Sequence, residues 1–227
     1  MVEIDIAQAR SDIQEIKQSH KYSISLTAFI IYCVSKSVAS NKRMHAYRNW
    51  KNQLVLFDNV DVSTTVERIL KGESEVVPMI IRAANNKSIH EISKELKESK
   101  SERVEKADVY RSIKLFLAIP AFFRQLVFRL IDKFPHLMKR KAGTVMVTSV
   151  GMMLGKGAGW GIPIASHTLN ITIGGIVERP ILISGQLENR EHICLTVSMD
   201  HDIVDGAPAS RFVHKLKTLI AEGVPRK

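Results

Sequence analysis

Apolar and polar positions alternate with two different periods along this chain, and the periods divide it into strands and helices. Val2 to Ile6 alternates with period two and predicts a short opening strand. Ala7 to Gln18 has helical spacing, and "SHKYSIS" breaks it. Ser25 to Ser40, within "SLTAFIIYCVSKSVASN", is apolar on most faces. That pattern predicts a buried helix with Ser25 or Thr27 near its N-cap. "QLVLFDNVDVSTTVERI", from Gln53 to Ile69, reads as strand material rich in Val. "EVVPMIIRAAN" reads as a further strand, with Pro78 inside it or at an edge. From Ser88 the spacing of Ile89, Ile92 and Leu96 turns helical. Glu91 stands three residues after Ser88, as in a capping box.

The second half continues in the same manner. Pro120 and Pro135 bracket an amphipathic helix expected at Ala121 to Phe134. "TVMVTSVGM" is a strand that ends in a turn, and "GKGAGWGIP" is a glycine-rich stretch expected to form a flexible loop. "HTLNITIGGIVERPIL" and "HICLTVSMD" are strands. "APASRFVHKLKTLIAEG" closes the chain as a helix, apolar at Phe212, Val213, Leu216, Leu219 and Ile220, with Gly223 after it. Strands interspersed with helices, without an internal repeat, predict an α/β two-layer sandwich with a mixed sheet. The 227 residues are read as a single domain, 1–227, with an apolar and basic insertion at about 113–141.

Composition narrows the functional classes. Hydrophobic residues at 45% and charged residues at 25% are ordinary for a chain with a sizeable core. Cys33 and Cys194 both fall in apolar runs, which predicts buried free thiols and fits a reducing, cytoplasmic setting. No zinc-type ligand spacing is present, so no metal is expected. The window Leu115 to Ile131 is interrupted by Pro120, Arg124 and Arg129 and is short for a membrane span. The net charge is +10, and between Arg124 and Lys141 six basic residues face Asp132 alone. Such a patch suits nucleic acid, anionic lipid or a phosphorylated cofactor, or simply a solvated face. No nucleic-acid motif accompanies it, so a nucleic-acid partner is not expected. Phe116, Phe122, Phe123, Phe128 and Phe134 in the same stretch suit burial over a cleft or in an oligomer core better than contact with a membrane surface.

The candidate chemistry lies where the run Cys194 to Met199 stops, at "DHDIVDGA". His201 sits between Asp200 and Asp202, and Asp205 and Gly206 follow four and five residues later. A histidine fixed at a strand end can serve as a general base, and an aspartate nearby can orient it or tie the loop by an ion pair. Gly206 would let the backbone adopt a conformation closed to other residues. The same spacing also fits an ordinary turn with a solvated histidine. His167 and His214 read as satisfied polar or surface residues, and Trp160 as a packing residue.

The longer string decides between these readings. "LTVSMDHDIVDGAPASRFVHKLKTLI" resembles the D-H-R-x-x-D-G-A-x-x-A-x-F segment of the catalytic domain of the dihydrolipoamide acyltransferases of 2-oxo acid dehydrogenase complexes, a family related to chloramphenicol acetyltransferase. In the right order, "GTVMVTSVG" is similar to its G-T-F-T-I-S-N-L-G, and "TIGGI" to its L-G-V-G-x-I. "SLTAFIIYCVSKSVASNKRMHAYRN" and "VVPMIIRAANNKSIHEISKEL" resemble two earlier stretches. The resemblance implies a chloramphenicol acetyltransferase-like fold and an acyltransferase that uses coenzyme A or acyl-CoA as substrate. His201 would be the general base, with Asp205 in its motif. Thr148, by its place in "GTVMVTSVG", would donate its hydroxyl to the tetrahedral oxyanion. Ser149, where the family often has Asn, would contact substrate. The acceptor would be a small molecule or a lipoyl group on a separate protein. The site would lie between subunits of a homotrimer or a multiple of one. An alternative is a weakly active or inactive scaffold or regulatory subunit of the same fold.

The chain departs from the family pattern in four ways. Asp202 stands where the family usually has Arg, which reverses the charge beside the base. A lipoyl domain, an Ala/Pro-rich linker and a peripheral subunit-binding domain are not seen. The family's first helix, with an arginine ahead of the opening strand, is not seen either, so Asp205 has no nameable ion-pair partner. The stretch Ile113 to Lys141 is longer and more apolar than its counterpart.

Overall fold

A computed structural model describes residues 1–19, 22–70, 73–101, 120, 122–124, 133–151 and 157–225. The opening strand β1 (Val2–Asp5) leads into α1 (Ala7–Ser19) and then α2 (Leu26–Ala39). A 3-10 turn at Lys42–His45 precedes a small ribbon, β2 (Tyr47–Arg48) and β3 (Leu54–Val55). The strands β4 (Val62–Leu70) and β5 (Glu73–Ile81) are followed by α3 (Ile89–Ser101). After α4 (Pro135–Ala142) come β6 (Val145–Ser149), β7 (Leu169–Ile183), β8 (Gln186–Met199) and α5 (Gly206–Ala221).

Six strands form one sheet in the order β1-β8-β7-β6-β4-β5. β6 runs parallel to β4 and β7, and the other pairs are antiparallel, so the sheet is mixed as expected. Side chains alternate across a strand, so the two faces differ in chemistry. One face carries Val62, Val66, Val145, Val147, Leu169, Ile171 and Leu195, all buried with the helices in one core. α2 lies at the centre of that core: Phe29, Ile30, Ile31, Val34 and Val38 have no exposed surface. Ser25 caps it, its Oγ accepting from the Ala28 N–H at 3.1 Å. α5 contributes Phe212, Leu216 and Ile220. α3 begins with the expected capping box, Glu91 Oε2 accepting from the Ser88 N–H at 2.7 Å. That bond first, and then one from the Ser88 hydroxyl to the same oxygen at 2.7 Å, hold the Glu91 carboxyl below its ordinary pKa. The opposite face of the sheet is hydroxylic, carrying Ser63, Thr65, Thr148, Asn170, Thr172, Thr196 and Ser198.

The two ends of the described chain are fastened together. β1 pairs with β8 from Val2↔Leu195 to Asp5↔His192. Glu3 and Asp5 form ion pairs with Arg179 at 2.8 Å and Arg190 at 3.2 Å. The buried Asp12 of α1 accepts from the Val224 N–H at 2.8 Å.

Three expectations are corrected. The run Gln53 to Ile69 is not one strand. Leu54–Val55 belongs to the ribbon with Tyr47–Arg48, and β4 starts only at Val62. The chain bends between them because Val60 bonds to the turn at 84–86 rather than to a strand: its N–H donates to Asn85 Oδ1 and its carbonyl accepts from Ala84 N, both at 2.8 Å. Next, Pro135 does not close a helix but opens α4, where a missing N–H costs nothing. Of the helix expected at 121–134, residues 122–124 are helical and residues 121 and 125–132 lie outside those described. Finally, the last two strands extend well beyond their apolar cores into one hairpin. Ser184 and Gly185 turn it with φ of 50° and 85°, the left-handed pair that suits the twist of a two-residue hairpin loop.

Both cysteines are buried and free. Phe122, Phe123 and Phe134 are each more than half exposed within one chain, so the expected burial of that segment does not occur inside the monomer at these positions; Phe116 and Phe128 lie outside the described residues. Among the described residues no helix is long and apolar enough to cross a membrane. Part of the basic run is the end of α4, where Lys139, Arg140 and Lys141 meet the negative end of the helix dipole.

Candidate active site

His201 is exposed on the turn that links β8 to α5. The turn is pinned on several sides. Asp200 N–H donates to the Thr168 carbonyl at 2.9 Å, which continues the ladder with β7 by one step. The Asp200 carbonyl accepts from Ile203 N at 3.2 Å and Val204 N at 3.0 Å. Its carboxylate accepts from Asp202 N at 3.0 Å, an Asx turn. Val204 is 3% exposed and anchors the far side in the core. From the ribbon, Arg48 Nη2 donates to the Asp202 carbonyl at 2.5 Å.

Asp205 is the N-cap of α5 but makes no side-chain capping bond, and no ion pair involving it occurs among the described residues. The expected tether between Asp205 and the turn is therefore not formed in the single chain. Gly206 is the first helical residue and does not take a left-handed φ. The anticipated need for glycine on conformational grounds is corrected accordingly.

Thr148 lies on the hydroxylic face, in register with Thr172 of β7, which is in register with Thr196 of β8. Thr148 Oγ1 is 3.4 Å from Thr65 Oγ1 on β4. The buried hydroxyls of Thr172 and Thr196 have no hydrogen-bond partner among the described residues. Ser149, next along β6, alternates to the other face, so Thr148 and Ser149 do not point together. Nor does one chain bring Thr148 to His201. They are two strands apart laterally, and His201 follows five residues beyond Thr196, the β8 residue in the row of Thr148, a separation of roughly 15–20 Å from ordinary strand spacings.

The glycine-rich stretch is not a loose loop over its described part, 157–163. It is seated on β7 where the register slips between Ile173 and Ile176. Gly175 N–H donates to the Gly159 carbonyl at 2.9 Å. A Cβ on Gly174 would stand 2.1 Å from that same carbonyl oxygen, and one on Gly161 would stand 2.6 Å from Thr172 Cγ2. Backbone thus approaches backbone beside the threonine row, which only glycine permits.

Two groups beneath the site escaped the sequence reading. His45 is wholly buried; its Nδ1 lies 3.0 Å from Thr144 Oγ1 and its Nε2 has no partner among the described residues. Burial, with the positive charge of Lys139 next in importance, pushes its pKa down to about 4. A histidine amid "NKRMHAYRN" gives no apolar period to betray its burial. Arg48 is the other: nothing in the sequence links it to the His201 turn. His167 is buried and satisfied as expected, with Nε2 2.8 Å from the Ala142 carbonyl and Nδ1 2.7 Å from Ser166 Oγ. Burial lowers its pKa. His214 is exposed and Trp160 half-buried. Among the described residues no group of three or more His, Cys, Asp or Glu is placed to hold a metal ion. A cleft of about 960 Å³ opens between α1, α2 and the start of α3, lined by Tyr22, Tyr32, Lys36 and His90 among others. None of the four expected site residues lines it.

The model of the 2-oxoacid dehydrogenases acyltransferase (catalytic domain) family matches residues 1–108 and 121–224, so the chain belongs to that family. It is 27% identical over 225 residues to the dihydrolipoyllysine-residue acetyltransferase component of the pyruvate dehydrogenase complex of Mycoplasma pneumoniae, covering 96% of this chain and 46% of that protein. The chain thus spans about half the length of that relative. Its fold is similar to that of the dihydrolipoamide acetyltransferase of Azotobacter vinelandii, a structure from work on the role of a serine, a histidine and an asparagine in the catalytic mechanism of that enzyme. The TM-score is 0.69 at 17% identity, over 97% of this chain and 79% of the other. Chloramphenicol acetyltransferase is also similar in fold, with a TM-score of 0.55 at 13% identity over 96% of this chain and 86% of the other.

Proposed function

We propose that this protein is a coenzyme A-dependent acyltransferase that moves an acyl group between a thioester and a thiol or hydroxyl acceptor. The observation that carries the reading is the pinned turn that holds His201 exposed at the end of β8, within a chain of this family. In this mechanism His201 removes the proton from the attacking thiol or hydroxyl. The resulting thiolate or alkoxide adds to the thioester carbonyl, and Thr148 donates its hydroxyl to the oxyanion. Collapse of the tetrahedral intermediate expels the other thiolate, which takes the proton back from His201. Asp205 keeps its place in the motif at the N-cap of α5, whereas Ser149, on the other face of β6 from Thr148, takes no part in this step.

The separation of Thr148 from His201 within one chain supports a site shared by two copies. A heterologous contact that repeats around a ring provides this, and a homotrimer or a multiple of trimers is the assembly proposed. The acceptor class is a dihydrolipoyl thiol on a separate protein, by analogy with the relatives' names. A second reading, a scaffold of low activity, is favoured by an Asp205 that has no ion pair among the described residues and by Asp202 beside the base.

The test is thiol release from acetyl-CoA with dihydrolipoamide and a lipoylated domain as acceptors. His201→Ala should lower the rate about a hundredfold or more, and Thr148→Val by a similar factor. Equal rates for wild type and His201→Ala would refute the general-base reading and favour the scaffold. Sedimentation of the protein as a monomer at assay concentration would refute the shared site.

A further inference from the structure

We infer that Arg48 is a positioning residue for the base, holding the main chain of the His201 turn from the β2–β3 ribbon. This rests on the proposed role of His201. The Arg48 guanidinium donates to the carbonyl of Asp202, the residue directly after the base, at 2.5 Å. A charged donor makes a stronger hydrogen bond than a neutral one. No carboxylate pairs with Arg48 among the described residues, so this carbonyl is its one charged-donor contact there.

Both ends of that bond are anchored. On the ribbon side, the Tyr47 hydroxyl donates to the Gly143 carbonyl at 3.0 Å, and the Ala46 carbonyl accepts from the Thr168 hydroxyl at 2.5 Å. On the turn side, the Thr168 carbonyl accepts from Asp200 N at 2.9 Å. Thr168 therefore grips the ribbon with its side chain and the turn with its backbone. Arg48 closes the circuit on the other side of His201. Without it, the residues after the base keep only local bonds back to Asp200. A base displaced by an ångström loses much of its rate advantage, which is why a fixed backbone matters here.

The charge logic agrees. Asp202 places a carboxylate directly after the base. Arg48 brings a guanidinium to the same stretch of backbone from a different part of the fold.

The test uses Arg48→Met, which keeps an apolar stem and removes the donors, and Arg48→Lys, which keeps a cationic donor. Hydrogen exchange of the peptide that spans 201–204 should speed up about tenfold in Arg48→Met, with the rest of the domain unchanged and Tm within about 2 °C. In the acyl-transfer assay kcat should fall about tenfold or more while KM for acetyl-CoA stays within about twofold. Arg48→Lys should recover most of both. Unchanged exchange in Arg48→Met would overturn the inference, as would faster exchange across the whole domain with a large drop in Tm. A wild-type protein with no transfer activity would refute the function of His201 instead, and the exchange data would then decide alone whether Arg48 holds the turn.

Discussion

His45 makes the stability of this domain depend on acid in a way that can be worked out beforehand. The ring is wholly buried, and its pKa is pushed from 6.5 down to about 4, first by burial and then by the charge of Lys139. In the unfolded chain the same ring titrates near its ordinary value. Between about pH 6.5 and 4 the unfolded state therefore binds a proton that the folded state does not. Unfolding takes up that proton, so stability falls as the pH falls. The contribution is complete above the unfolded pKa and is lost progressively down to the folded one. At about 1.4 kcal/mol per pH unit the full window is worth roughly 3 kcal/mol, a large share of a typical domain's stability. The assay is urea unfolding from pH 7.5 to 4.5 at fixed protein concentration, wild type against His45→Gln. The variant has its own offset, but the offset does not matter; the difference in slope does. Wild type should lose about 2–3 kcal/mol more than the variant across this range. His167, also depressed by burial, is present in both and cancels. Parallel curves would refute the reasoning and mean that His45 gains a proton in the fold without penalty.

Two further substitutions test the packing that supports the site. Gly174→Ala places a methyl group 2.1 Å from the Gly159 carbonyl oxygen, so the glycine stretch must lift off β7. A loss of about 2–4 kcal/mol in urea unfolding is expected, and a change under about 0.5 kcal/mol would contradict the docked arrangement. Leu216→Ala empties a position on α5 that is 1% exposed and should cost about 2–5 kcal/mol by the same measurement, with retained far-ultraviolet circular dichroism.

Much of this architecture was legible before any coordinates. α5 announces itself because its apolar residues recur at helical spacing, and α2 because a long run is apolar on most faces; Ser25 and the Ser88–Glu91 box mark starts that the backbone then uses. The core face of β6 and β7 was readable from period two. What could not be read is pairing across distance. Leu54–Val55 has the composition of a central strand, yet it leaves the sheet because Asn85 and Ala84 bond Val60 instead. The outer half of the β7–β8 hairpin, "QLENRE", is polar on both faces and is a strand only because its partner and the left-handed Ser184–Gly185 turn make it one. At the candidate site, the resemblance singled out His201 and Thr148 as a pair. Their separation across two strands follows from a parallel β6–β7 and an antiparallel β7–β8 alignment, which no spacing along the chain encodes. Arg48 and His45 lie in one short polar stretch, and their partners are more than ninety residues away.

The pairing of β1 with β8 sets a schedule for the birth of this domain. Leu195 is made about 190 residues after Val2. At cellular elongation rates that is a wait of roughly 10–40 s. During it the first strand lacks its neighbour in the sheet, and the bond from Val224 to α1 cannot form. The two hairpins β4–β5 and β7–β8 can close as soon as each is synthesised, whereas the edge that completes the sheet is added at the end. Translation speed, and whatever shields β1 in the interval, thus governs how much of the newly made chain reaches the closed form.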